Sequence, residues 1–226
     1  MSGIRRFVTI FLASPGDLAE ERKVAKEIVD DFNSQLADAL GYQVELVGWE
    51  DTLPGVGRPQ AIINRDLDGC DFFVGMLWKR WGTPPGAKPY TSGFEEEFER
   101  SMARNANEGR PEINLLLKDI GEELLADPGD HLKKVIAFKE RVFAEKKLLA
   151  GTFSDIRDFE GKFRRCIQGF VISLGNKDKE SGPEKEQTPL TETQNKSATE
   201  PGPTTPLTVE GARFLREFLT QAEKAS

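Results

Sequence analysis

Cys70-Asp71-Phe72-Phe73-Val74-Gly75-Met76-Leu77-Trp78 decides the fold. From Phe72 onward it is almost unbrokenly hydrophobic. That predicts a strand buried on both faces, the mark of a parallel sheet covered by helices on each side. A loop rich in glycine and proline follows, from Gly82 to Gly93, and then Phe94-Glu95-Glu96-Glu97-Phe98-Glu99 opens a helix. In an open α/β sheet, strand-to-helix loops of this kind rim the crevice where ligands bind. A carboxylate at that place is either a favourable charge at a helix N-terminus or a reactive group.

Working outward, strand-length apolar runs alternate with helix-period segments. Strands are expected at 7–13, 43–49, 72–78, 113–117 and 148–153. Helices are expected from Asp17 to Leu40, in a short segment ending near Leu67, and over 94–107, 132–146 and 156–174. Asp17 with Glu20 three residues on reads as a capping box, and Gly41 reads as a C-terminal stop. The order βαβαβαβαβα with right-handed crossovers gives an α/β fold, a three-layer αβα sandwich around a five-stranded parallel sheet. The simplest strand order is flavodoxin-like, with a switch point between the first and third strands.

Composition changes at Gly175. Between 175 and 207 there is no Val, Ile or aromatic residue, while Pro183, Pro189, Pro201, Pro203 and Pro206 fall there. Such a segment cannot bury enough surface to offset its ordering entropy. The organisation expected is a domain over 1–174, a disordered linker over 175–207, and an amphipathic helix over 208–226. Phe214, Leu215, Phe218 and Leu219 would give that helix an apolar face. A lone helix of that length is marginal in water and needs a partner surface, either a second copy or a further domain.

The net charge of -7 over 226 residues argues against a nucleic-acid grip spread over the surface. The 6-residue run 7–12 is too short for a signal peptide, and no apolar stretch is long enough to span a bilayer. A cytoplasmic protein without a membrane partner is expected. His131 is the only histidine, and Cys70 and Cys166 are the only cysteines. That is too few for a zinc site of the usual ligand count. No Walker loop and no G-x-G-x-x-G is present, which disfavours NTP hydrolysis and a standard dinucleotide fold.

At about 100° per residue, Phe94, Phe98 and Met102 form the buried face of the helix after the third strand. Glu96 and Arg100 fall opposite and read as a solvated i,i+4 ion pair. Glu95 and Glu97 flank the buried face, and one of them is expected to look into the crevice. Arg80 beside Trp81 can pair with a phosphate while the indole stacks on a base; equally, the tryptophan can cover the sheet end and the arginine can be a surface charge. Ser14-Pro15-Gly16-Asp17 ends the first strand where backbone N–H groups could hold an anion, although Asp17 is itself an anion.

Taken together, Phe11-Leu12-Ala13-Ser14-Pro15-Gly16-Asp17-Leu18, Trp49-Glu50, Cys70 to Gly75, Arg80-Trp81-Gly82-Thr83 and Ser92-Gly93-Phe94-Glu95-Glu96-Glu97-Phe98 resemble an uncharacterised family. This is domain-of-unknown-function family 4062, found at the N-termini of multidomain signalling and defence proteins ahead of NACHT-type modules. The resemblance covers about 5–174 and extends to TIR domains and nucleoside deoxyribosyltransferases. In the latter, a Gly-Thr-x-x-Glu segment carries the catalytic glutamate. Gly93 to Glu97 has that spacing, with Phe94 in place of the threonine.

The resemblance implies Glu97 as the catalytic residue, with Ser14, Asp17, Arg80, Trp81, Ser92 and Gly93 around the substrate, and neither metal nor cofactor. It implies an effector domain that cleaves the N-glycosidic bond of NAD or a related nucleotide. The alternatives are a docking or oligomerisation domain without catalysis, and a nucleotide sensor without turnover.

Overall fold

A computed structural model describes residues 5–48, 58–148 and 150–180. Five strands, β1 (Arg6–Ala13), β2 (Tyr42–Val47), β3 (Phe72–Leu77), β4 (Glu112–Lys118) and β5 (Ala150–Phe153), form one sheet in the order β2-β1-β3-β4-β5. Every pairing is parallel. The expected strand order is the one observed.

All six residues of β3 are buried, and its side chains alternate between two cores. Phe72, Val74 and Met76 point to one face, beneath α1 (Ala19–Leu40) and α6 (Ile156–Glu180), where Phe72 stacks on Phe170 at 4.0 Å. Phe73 and Leu77 point to the other, beneath α2 (Pro59–Gly69), α3 (Gly93–Glu108) and α5 (Asp130–Glu145). There Phe138 meets Phe94 and Phe98 edge to face, with centroids 5.6 and 5.1 Å apart. The result is a three-layer sandwich.

Several expectations change in detail. Asp17 does not cap a helix: α1 starts at Ala19 without a side-chain cap, after a single 3-10 turn at Gly16–Leu18. Asp17 Oδ2 instead accepts the backbone N–H groups of Lys79 and Arg80 at 3.2 and 3.0 Å. Those amides leave the end of β3 and have no strand beside them, so a neighbouring carboxylate satisfies them. A short α4 (Glu122–Ala126), with no buried residue, was not anticipated; five residues carry no readable period. Helix α6 continues to Glu180, so the first residues of the expected linker are helical. The remainder of that linker, the helix expected over 208–226, and Trp49 with Glu50 lie outside the described residues.

Gly75 sets how closely α3 approaches the sheet. A Cβ there would lie 2.6 Å from Leu115 Cδ2, 3.0 Å from Phe73 Cε1 and 3.2 Å from Phe94 Cε2. Gly75→Ala should therefore cost about 1–3 kcal/mol through overpacking, read as a lower urea midpoint. An unchanged midpoint would mean that the first turn of α3 is free to lift from the sheet.

Candidate functional site

The chain leaves β1 toward α1 on one face and leaves β3 toward α3 on the other. Between these diverging loops, at the carboxyl ends of β1 and β3, a cleft of about 640 Å³ opens. This is the topological switch point at which open α/β sheets bind ligands. Ser14 and Pro15 after β1, Arg80, Thr83, Pro84 and Pro85 after β3, Gln60 of α2, and Gly93, Phe94 and Glu97 of α3 line it.

Glu97 is the only carboxylate that lines this cleft among the described residues, and it is 7% exposed. Gln60 Nε2 donates to its Oε1 at 2.7 Å. Its Oε2 has no hydrogen-bond partner among the described residues. Burial pushes the Glu97 carboxyl up to about 7; the Gln60 hydrogen bond opposes that shift, and the charge of Glu96 adds to it.

Glu96 corrects the helical wheel. It is 2% exposed and not solvated. Arg58 grips it with both terminal nitrogens, Nη2 to Oε1 at 2.7 Å and Nη1 to Oε2 at 2.8 Å, while Asn64 Nδ2 donates to Oε1 at 2.7 Å. The Arg58 hydrogen bond above all, then that of Asn64, holds the Glu96 carboxyl below the ordinary range against the opposing effect of burial. Arg100 turns away to Asp68 at 2.7 Å. A wheel drawn for a helix with one neighbour, the sheet, misses α2 packed along the outer side of α3.

The other expected residues divide. Ser14, Arg80 and Gly93 line the cleft with Glu97. The Ser14 hydroxyl accepts from Arg22 Nη1 at 3.0 Å, and Arg80 is exposed. Trp81, Ser92 and Asp17 are not among the lining residues. Trp81 is 4% exposed, with its ring against Phe94 and Phe138 and its Nε1 donating to Thr91 Oγ1 at 2.7 Å. It is a core residue and cannot stack on a base in this cleft. Ser92 is fully buried, and its hydroxyl caps α3 by accepting the Glu95 N–H at 3.1 Å. Glu95 is occupied on the far side by the N–H and hydroxyl of Thr91. Of the two flanking glutamates, it is Glu97 that faces the crevice.

The family model described as Domain of unknown function (DUF4062) matches residues 9–168. The chain belongs to the DUF4062 family. No curated protein matches it. The matched span holds every residue of the DUF4062 cleft, from Ser14 to Glu97. Sequence reasoning missed Arg58, Gln60 and Asn64. The available signal was the amide pair Gln60 and Asn64 at i,i+4 on α2, whose side chains point inward with Leu67.

No helix among the described residues is long and apolar enough to cross a membrane. Burial pushes the Cys70 and Cys166 thiols up to about 11, which makes both poor nucleophiles at neutral pH.

Neighbouring glutamates should respond to substitution with opposite signs. The folded-state pKa of Glu97 lies above its ordinary 4.5, so the fold is penalised as pH rises from 4.5 to about 7 and fully penalised beyond. Glu97→Gln should then stabilise the protein by up to about 3 kcal/mol at pH 8 and by almost nothing at pH 4.5. Glu96→Gln should lower the melting temperature at pH 8, because it strips Arg58 of its partner. That loss should largely persist at pH 4.5, because wild-type Glu96, held below its ordinary range, is still ionised there. Thermal denaturation of both variants at the two pH values checks the signs; destabilisation by Glu97→Gln at pH 8 would contradict the assignment.

Proposed function

We propose that the cleft binds a nucleotide with an N-ribosyl bond, NAD being the model substrate, and that Glu97 promotes cleavage of that bond. The observation that carries this reading is the isolation of Glu97: one buried carboxylate, with one oxygen held by Gln60 and the other unpartnered among the described residues, in a cleft at the switch point. Arg80 at the rim is suited to a phosphate group. The base would lie against the apolar wall of Ile63, Pro84 and Pro85, since Trp81 is sequestered in the core.

Cleavage at the anomeric carbon passes through an oxocarbenium-like state. The bond from C1′ to the pyridinium nitrogen breaks, and its electron pair leaves with neutral nicotinamide. The ionised Glu97 carboxylate, poorly hydrated in its site, stabilises the positive charge that develops on the ribose. Water then adds to C1′, and Glu97 accepts the proton it releases. Nicotinamide needs no protonation to leave, so one carboxylate suffices. A cationic substrate ring beside Glu97 also offsets the cost of ionising it. In this reading the domain serves as the effector of a signalling or defence protein and is active when assembled through further parts of the chain.

The test is nicotinamide release from NAD at high protein concentration. At NAD concentrations well below saturation, release should rise with pH through about 7 as Glu97 ionises in the free protein. Glu97→Gln should lower it about 10²–10³-fold. Glu99→Gln, on the same helix but paired with Arg141 at 2.7 Å, should leave it unchanged. Nucleotide binding without release would make the domain a sensor; neither binding nor release would leave the docking reading.

A further inference from the structure

We propose that Gln60 is a positioning residue for Glu97, itself oriented by hydrogen bonds that begin at the Arg58–Glu96 ion pair; this rests on the reading of Glu97 given above. Arg58 and Glu96 are joined by two parallel hydrogen bonds, and Asn64 Nδ2 donates to the same carboxylate. That donation fixes which end of the Asn64 amide faces Glu96 and leaves its Oδ1 free to accept. Gln60 Nε2 lies 3.4 Å from Asn64 Oδ1 and 2.7 Å from Glu97 Oε1. Two acceptors on one side define the Gln60 amide: its NH₂ faces Glu97, and its Oε1 faces Gly93. The amide therefore donates to Glu97 and cannot accept from it, which favours the carboxylate over the acid.

Gly93 is the other half of the device. A Cβ at this position would lie 2.5 Å from Gln60 Oε1 and 3.3 Å from Gln60 Cδ. The Gln60 amide occupies the space that any side chain at the first residue of α3 would take. The chain thus gives up a side chain at Gly93 so that an amide can reach the carboxylate one helical turn later. The charged group that acts on Glu97 is Glu96 on its own helix; Arg58 before α2 and Arg80 after β3 line the same cleft. Arg58 is occupied by Glu96, and Arg80 lies at the exposed rim. Gln60 is the one neutral donor that touches Glu97 directly among the described residues.

The experiment is a titration of the Glu97 side-chain carboxyl by carbon-13 NMR on selectively labelled protein, assigned by loss of its signal in Glu97→Gln. Two variants remove the amide from opposite sides. Gln60→Leu deletes the donor, and Gly93→Ala displaces it with a single methyl group that a helix tolerates. Loss of a hydrogen bond to a charged acceptor should raise the Glu97 pKa by about one unit or more in each. The rising limb of nicotinamide release against pH should move up by the same amount. If Gln60→Leu fails to fold, Gly93→Ala carries the test alone. An unchanged Glu97 titration in a folded Gly93→Ala protein would overturn the proposal. A shifted titration with no nicotinamide release at any pH, in the wild type as well, would keep the positioning role and discard the hydrolase reading.

Discussion

The carboxylate of Glu96 ties three chain segments into one wall. Arg58, at the start of α2, donates to it twice and donates also to the Pro85 carbonyl in the loop after β3 at 2.8 Å. Asn64 reaches it from the next turn of α2. A glutamate in the first turn of α3 thus fixes the approach of α2 and the course of the loop above the cleft. A buried carboxylate without such partners would cost several kcal/mol, so the wall holds together only when all three segments are in place. The cleft is a consequence of that closure as much as of the strand order.

The adjacent residue shows the same physics with the opposite outcome. Glu96 has an arginine fork and an amide; among the described residues Glu97 has one amide and no cation within hydrogen-bonding reach. The first carboxyl is held below its ordinary range and the second is pushed up to about 7. Two like groups whose surroundings drive their titrations apart are a recurrent sign of divided labour, one structural and one chemical. Keeping Glu97 in this state lowers stability at neutral pH, and a stability cost confined to a cleft is expected where a site is kept for function.

The sheet was legible because its signals are local and repeated. The unbroken apolar run of β3, Gly41 after α1 and the alternation of strand and helix lead together to one strand order. That Glu95 or Glu97 faces the crevice was legible because it depends on one helix and the strand before it; the choice of Glu97 came only with the resemblance to deoxyribosyltransferases. What failed depends on segments distant in sequence. Glu96 was read as solvated because nothing near it announces that α2 covers that side, 32 residues away through Asn64. Asp17 looked like a helix cap because the amides it serves, Lys79 and Arg80, lie across the sheet. Trp81 was ambiguous on its own; only the packing of Phe94 and Phe138 places it in the core. Ser92 sits in the expected motif yet serves as a cap, so a motif position alone does not make a contact residue.

The central claim is that the cleft at the β1–β3 switch point is where this domain meets its ligand, with Glu97 as the reactive group. The most direct measurement is a crystal structure of the Glu97→Gln protein soaked with NAD. The account predicts the ribose C1′ within about 3.5 Å of the substituted side chain, close enough for near-attack geometry, with a phosphate oxygen against Arg80. An empty cleft at saturating NAD, or a nucleotide bound elsewhere on the domain, would contradict it.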